Sequence, residues 1–189
     1  VLVLIKIKKK IKCVMCIDPG VAGTGVSIWH TTSFNSTSEK IKEKNLFIPL
    51  FHRSFKLKDE LKFYYYFLEL AQEYEVERVY IENAHYHGTG SAKGQMTAAK
   101  GDLVVLAKYI GGLLATFWLS GVQAETIDVM RWKGQLPKEV VMRRILKIWP
   151  ECPSKRNLET GMPTAHDWDA IGIGYYLMGL INKKSSGKR

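Results

Sequence analysis

Cysteine is scarce in this chain: 189 residues contain only Cys13, Cys16 and Cys152. Three thiols do not make the disulfide framework of a small secreted domain, and they point to a reducing compartment such as the cytoplasm. Cys13 and Cys16 have the spacing of half a zinc site, but no second pair exists to complete a tetrahedral set. Both fall within an apolar run and read as buried strand residues. No stretch of about 18 uninterrupted apolar residues occurs, so no membrane span is indicated. The apolar start Val1-Leu2-Val3-Leu4-Ile5 is followed by lysines rather than preceded by them, the wrong order for a secretory signal. Gly88, Gly90 and Gly94 are not completed by a Gly-Lys-Ser/Thr ending, which argues against a P-loop and a nucleotide cofactor. Internal repeats and linkers are also lacking.

What is present is an ordinary globular balance, 46% hydrophobic and 24% charged, in a length that suits one domain with a substantial core. The formal charge of +10 is concentrated at the ends. Nine of the 28 basic residues lie in 1–12 and 183–189, leaving 19 against 18 acids elsewhere, so the body is nearly neutral. The expected organisation is a basic extension over 1–12, either disordered or an added strand, a single domain over 13–182, and a basic tail over 183–189. Basic tails are either solvated ends or contacts to a phosphate backbone.

Residues 13–17 read as a strand, and Val26 to Trp29 as the next, after a glycine-rich turn. Leu46 to Phe55 supplies a third extended segment, interrupted by Pro49. Leu57 to Tyr74 carries Leu61, Tyr64, Tyr65, Leu68 and Ala71 at helical spacing. Its aromatic cluster from Phe63 to Phe67 reads as a helix packing on a sheet rather than a base-stacking platform. Glu77 to Ile81 is a fourth strand, followed by a loop over 83–94 and a long helix through Leu119. Val122 to Val129 is a fifth strand and Met130 to Leu136 a loop. Pro137 suits the first position of a helix to Ile148. Residues 150–163 form a loop, and Thr164 can cap a final helix through Ile181. Three early strands with short turns should pair antiparallel, and those alternating with helices should add in parallel. The result is an α/β, ribonuclease H-like arrangement: a mixed five-stranded sheet, its first three strands antiparallel, flanked by helices.

Three acids fall at telling points of this layout. Asp18 ends the first apolar strand and precedes Pro19-Gly20, with Gly23-Thr24-Gly25 beyond. Glu82 closes Val79-Tyr80-Ile81. Asp169 sits in His166-Asp167-Trp168-Asp169-Ala170, at the start of an apolar helical run. Carboxylates on separate apolar elements repel one another if they converge, unless a hard divalent cation takes them as oxygen ligands. The pattern points to metal-dependent chemistry on a phosphate backbone. Phosphodiester hydrolysis by two ions needs them about 4 Å apart, and Asp18 is best placed to bridge both, with Glu82 holding one. Each helical residue turns about 100°, so His166 and Asp169 share a face while Asp167 points elsewhere. Asp169 is therefore a candidate ligand. His166 is either a ligand or the group that orients the water. Asp167 is expected to be a first-turn acid favouring the helix N-terminus.

Taken in order, these motifs resemble the RuvC-type Holliday junction resolvases, particularly the divergent versions found in phages. Ile17-Asp18-Pro19-Gly20 with Thr24-Gly25 is similar to the family's first motif, Tyr80-Ile81-Glu82 to its second, and His166-x-x-Asp169-Ala170 to its last. Ser91-Ala92 and Lys100-Gly101 are similar to its segment entering the long helix. The family commonly has Asp where His166 stands, and the loop Asn83 to Gly88 departs from its pattern. The resemblance implies a homodimeric endonuclease that uses two Mg²⁺ ions, with Mn²⁺ able to substitute, and nicks four-way DNA junctions symmetrically. It also implies an aromatic wedge at the junction, for which Tyr86 is the candidate. Candidate phosphate contacts are Lys93, Lys100, Arg131, Lys133, Lys138, Arg143, Arg144 and Lys147, which fall on the active-site side of the layout. A solvated helix face explains the last four equally well. His85 and His87 are either solvated loop residues or DNA contacts. The stretch from Leu103 to Leu119, apolar nearly all round, is buried either against a partner subunit or within the monomer. Other branched DNA or RNA–DNA hybrids are alternative substrates for the same chemistry. The turn at Asp18 also resembles the phosphate-binding turn of actin-like and sugar kinases, which need a second lobe that 189 residues leave no room for.

Overall fold

A computed structural model describes residues 12–21, 23–34, 47–56, 60–83, 101–134, 136–152 and 165–181. The basic ends, His85, Tyr86, His87, Lys93, Lys100 and Thr164 lie outside these residues. Strand β1 (Cys13–Pro19) is buried along its whole length, which is why its sequence is a continuous apolar run rather than an alternating one. It pairs antiparallel with β2 (Thr24–His30), and β2 pairs antiparallel with β3 (Phe51–Phe55). On its other side β1 is parallel to β4 (Val76–Glu82), and β4 is parallel to β5 (Gln123–Ile127). The mixed five-stranded sheet, its first three strands antiparallel as the sequence pattern predicts, therefore runs β3-β2-β1-β4-β5. The third strand starts at Phe51, two residues after Pro49, where a ladder no longer lacks a donor.

Side chains alternate between the two faces. Met15, Ile17, Val26, Ile28, Val79 and Ile81 join one core with Phe67, Leu70, Tyr109, Leu113 and Phe117. These last five come from α2 (Glu60–Glu73) and α3 (Asp102–Leu119), after a one-turn α1 (Thr31–Phe34). Val14, Cys16, Trp29 and Ile127 join the second core, with Trp132, Val141, Ile145, Trp168, Ile171 and Tyr175. That face is covered by α4 (Val129–Trp132), α5 (Lys138–Ile148) and α6 (Ala165–Leu177).

Besides a final helix that ends at Leu177 rather than Ile181, two boundaries correct the sequence reading. β5 ends at Ile127 rather than Val129, because Asp128 breaks out of the strand and caps a helix. Its Oδ1 accepts from the backbone N–H of Met130 at 2.6 Å, offsetting one orphan donor of the first turn. The segment read as a loop from Met130 thus begins with the helical turn α4, which places Trp132 and Lys133. The long helix α3 turns Tyr109, Ile110, Leu113 and Phe117 inward. By length and composition it could cross a membrane, with a mean hydropathy of 1.5, yet it packs on the sheet and on α2.

Candidate active site

Ile17 and Ile81 are partners across the parallel pair β1–β4, and both point into the α2–α3 core. The next residue on each strand, Asp18 and Glu82, therefore points to the opposite face, beneath α6. Both carboxylates sit at the carboxyl ends of adjacent parallel strands, one residue beyond the last β1–β4 partners.

The first turn of α6 supplies the third element. Gly25 lies opposite Asp18 in register, and Ser54 lies opposite Gly25, so all three positions share one face. A β-carbon on Gly25 would collide with the backbone of His166 and Asp167. The missing side chain lets α6 descend between the flanking residues, and each of its first acidic or basic groups reaches one of them. His166 Nδ1 lies 2.6 Å from Asp18 Oδ2 on one side. Ser54 Oγ donates to Asp167 Oδ1 at 2.6 Å on the other. Gly20 completes the fit, since a β-carbon there would strike the His166 ring. One helical turn further, Asp169 is gripped by Lys133, whose Nζ lies 2.8 and 3.0 Å from its two oxygens. Glu82 Oε2 accepts from the indole N–H of Trp132 at 2.9 Å.

The electrostatics bind these groups into one site. Burial raises the Asp18 carboxyl above its ordinary value; the hydrogen bond and charge of His166 pull the other way, and Asp169 adds to the rise. Glu82 is raised well above the ordinary range, first by burial and then by the charges of Asp18 and Asp169. For His166, burial opposes the charged form, but its hydrogen bond to Asp18 and that residue's charge prevail, and its value rises. Asp18 and His166 thus act on each other in opposite senses: the imidazole lowers the Asp18 carboxyl against its burial, and the carboxylate raises the imidazole. Lys138 is lowered by burial, with Asp169 and Asp18 opposing, so its ammonium faces the same acids.

The donor set suits a hard divalent ion. Asp18 is buried and Glu82 half-buried, their charged forms are disfavoured by desolvation and by neighbouring acids, and a cation is what relieves that cost. Among the described residues no three acidic, His or Cys side chains are already gathered in ion-binding geometry. Asp169 is held instead by the ammonium of Lys133, a positive charge standing where the acids call for one.

Of the residues expected from sequence, Asp18, Glu82, His166 and Asp169 are brought together. Asp167 lies in the first turn of α6, as expected of it, and is also buried there, taking the hydroxyl of Ser54. Lys133 and Lys138 lie among the acids, whereas Arg131, Arg143 and Lys147 are exposed on α4 and α5 and Arg144 is half-buried. Trp132 and Ser54 were not anticipated. The Asp128 cap was the available signal for the turn that carries Trp132. Nothing local marks Ser54, which meets a residue 113 positions later.

No protein-family model and no curated protein matches the sequence. Solved structures do. Thermus thermophilus RuvC in complex with Holliday junction substrate superposes with a TM-score of 0.54 at 16% identity, over 87% of this chain and 91% of that one. A second structure of Thermus thermophilus RuvC gives 0.50 at 16% identity, over 88% and 92%. The chain has the ribonuclease H-like fold of RuvC.

Proposed function

We propose that this protein is a metal-dependent endonuclease that resolves four-way DNA junctions by paired, symmetric nicks. The observation that carries the reading is the convergence of Asp18 and Glu82 from adjacent strands with His166 and Asp169 from α6, on a fold shared with a protein solved on a Holliday junction. Asp18, Glu82 and Asp169, with His166 beside them, would hold Mg²⁺, for which Mn²⁺ can substitute. When bound, a pair of such ions supplies an activated water and stabilises the leaving oxygen. His166 Nδ1 is committed to Asp18 Oδ2, so its part in this reading is to hold a proton there and fix the orientation of Asp18. Lys133 and Lys138 supply positive charge where a phosphodiester would approach. Arg131, Arg143, Arg144 and Lys147 extend that charge along α4 and α5 as contacts to the DNA backbone, which set position rather than sequence. Tyr86, Lys93 and Lys100 complete the proposed DNA surface from the chain between β4 and α3.

Paired nicks require two sites, and the reading includes a homodimer. Its support is α3, where Val104, Trp118 and Leu119 are 73%, 63% and 90% exposed, with Leu119 beside Leu61 and Tyr65 of α2. An apolar surface of that kind is usual at protein contacts. Three free, buried cysteines support a reducing compartment such as the cytoplasm.

The test is incubation with Mg²⁺ and a labelled synthetic four-way junction, beside duplex, flap and RNA–DNA hybrid controls. Nicks at symmetric positions on opposite strands, lost in Asp18→Asn with junction binding retained, are expected. Preferential cutting of the hybrid would replace this reading with that of a ribonuclease. No cutting of any substrate would refute it.

A further inference from the structure

Trp132 is fully buried and its single polar atom points at Glu82, a residue on a different element 50 positions earlier. Glu82 needs such a restraint. Its carboxylate is repelled by Asp18 and Asp169, and several side-chain torsions would let it swing away from them. An indole N–H donates and cannot accept, so it cannot itself ligate a cation or carry a proton in the reaction. It engages one oxygen of the carboxylate, Oε2, and leaves Oε1 for another partner.

The indole is also held so that it cannot follow Glu82. A β-carbon on Gly172 of α6 would stand 2.8 Å from its Cζ3 atom, so the ring lies directly on that helix. From the other side, Asp128 caps the turn that carries it, and Lys133 N–H donates to Val129 at 2.9 Å to close that turn. Asn83 N–H donates to Ile127 at 2.8 Å, tying the end of the Glu82 strand to the start of the Trp132 turn. Carboxylate and indole are thus two ends of one rigid circuit. Outer groups of this kind orient the oxygen ligands of metal sites, and their loss costs about 10–100-fold in ion affinity.

We propose that Trp132 is a positioning residue: its indole N–H fixes the Glu82 carboxylate in the orientation that accepts the divalent ion. The proposal rests on the metal-dependent reading above. Trp132→Phe keeps the ring and removes the N–H. Mn²⁺ titrated calorimetrically into the full chain should bind Trp132→Phe about 10–100-fold more weakly than the wild type. Nicking by the variant should recover toward the wild-type rate as Mg²⁺ is raised, an outcome that general loss of packing does not produce. Wild-type affinity retained in Trp132→Phe would overturn the proposal and leave the metal reading intact. A wild-type protein that binds no divalent ion would overturn both. Should Trp132→Phe fail to fold, the five indole N–H signals of the wild type in a ¹H–¹⁵N spectrum serve instead. The signal perturbed by Glu82→Gln should also shift as Mg²⁺ saturates the protein, and its indifference to the ion would equally refute the role.

Discussion

The Lys133–Asp169 pair is the sharpest point at which to test the electrostatics. Its side chains are 16% and 14% exposed, so neither charge is well hydrated, and the ammonium also offsets Asp18 and Glu82. Replacing Lys133 with Met preserves much of the chain length and leaves the acids facing one another. Removing one partner of a fully buried pair costs roughly 3–5 kcal/mol, and the residual exposure here brings the expectation to about 2–3 kcal/mol. For a chain of this size about 2–4 °C of melting temperature corresponds to each kcal/mol. Without divalent ions, Lys133→Met should therefore melt roughly 4–12 °C below the wild type in differential scanning calorimetry. Ions at about 100 times their dissociation constant stabilise by roughly 2.7 kcal/mol, so excess Mn²⁺ should restore most of the loss. The variant should also bind Mn²⁺ more tightly than the wild type, having no ammonium to displace. An unchanged melting temperature, or a deficit that Mn²⁺ leaves as it was, would show that Lys133 is not the counter-charge of this site.

The pH dependence has a definite sign. Asp18, Glu82 and His166 all hold their protons to higher pH in the folded state than their ordinary values of 3.8, 4.5 and 6.5. The folded state therefore binds more protons, and the contribution of these groups to stability falls as pH rises from those values through the raised ones. Glu82→Gln should accordingly raise the melting temperature of the metal-free protein at pH 8, with the gain shrinking toward pH 4; a gain that grew with acidity would contradict the assignment. On the outer side of α3, Leu119→Glu should convert a dimer to a monomer in light scattering and abolish paired nicking, with helical circular dichroism unchanged. Dimers persisting in that variant would move the interface elsewhere.

Much of the site was legible because its carboxylates end apolar elements. An acid after Val14-Met15-Cys16-Ile17, or after Val79-Tyr80-Ile81, has few places to lie other than a strand tip, and helical rotation alone put His166 and Asp169 on one side. The outlying acid Asp167 shows where that reasoning stops. Periodicity says which way a residue points and not what waits there, and Ser54 reaches Asp167 only through the register of three strands. Residues 129–132 are too few to show a helical period, so Trp132 and Lys133 were read as loop residues although both end on site carboxylates.

The order of elements, the antiparallel and parallel strand pairings and the candidate residues His166, Asp169, Asp18 and Glu82 thus follow from the chain itself, because hydrophobic period and strand ends are local properties. Which cation sits on Asp169, which donor orients Glu82 and which face of α3 stays apolar toward solvent were decided by the tertiary structure alone. Each depends on distances between residues remote in sequence, and a one-dimensional pattern carries no distances.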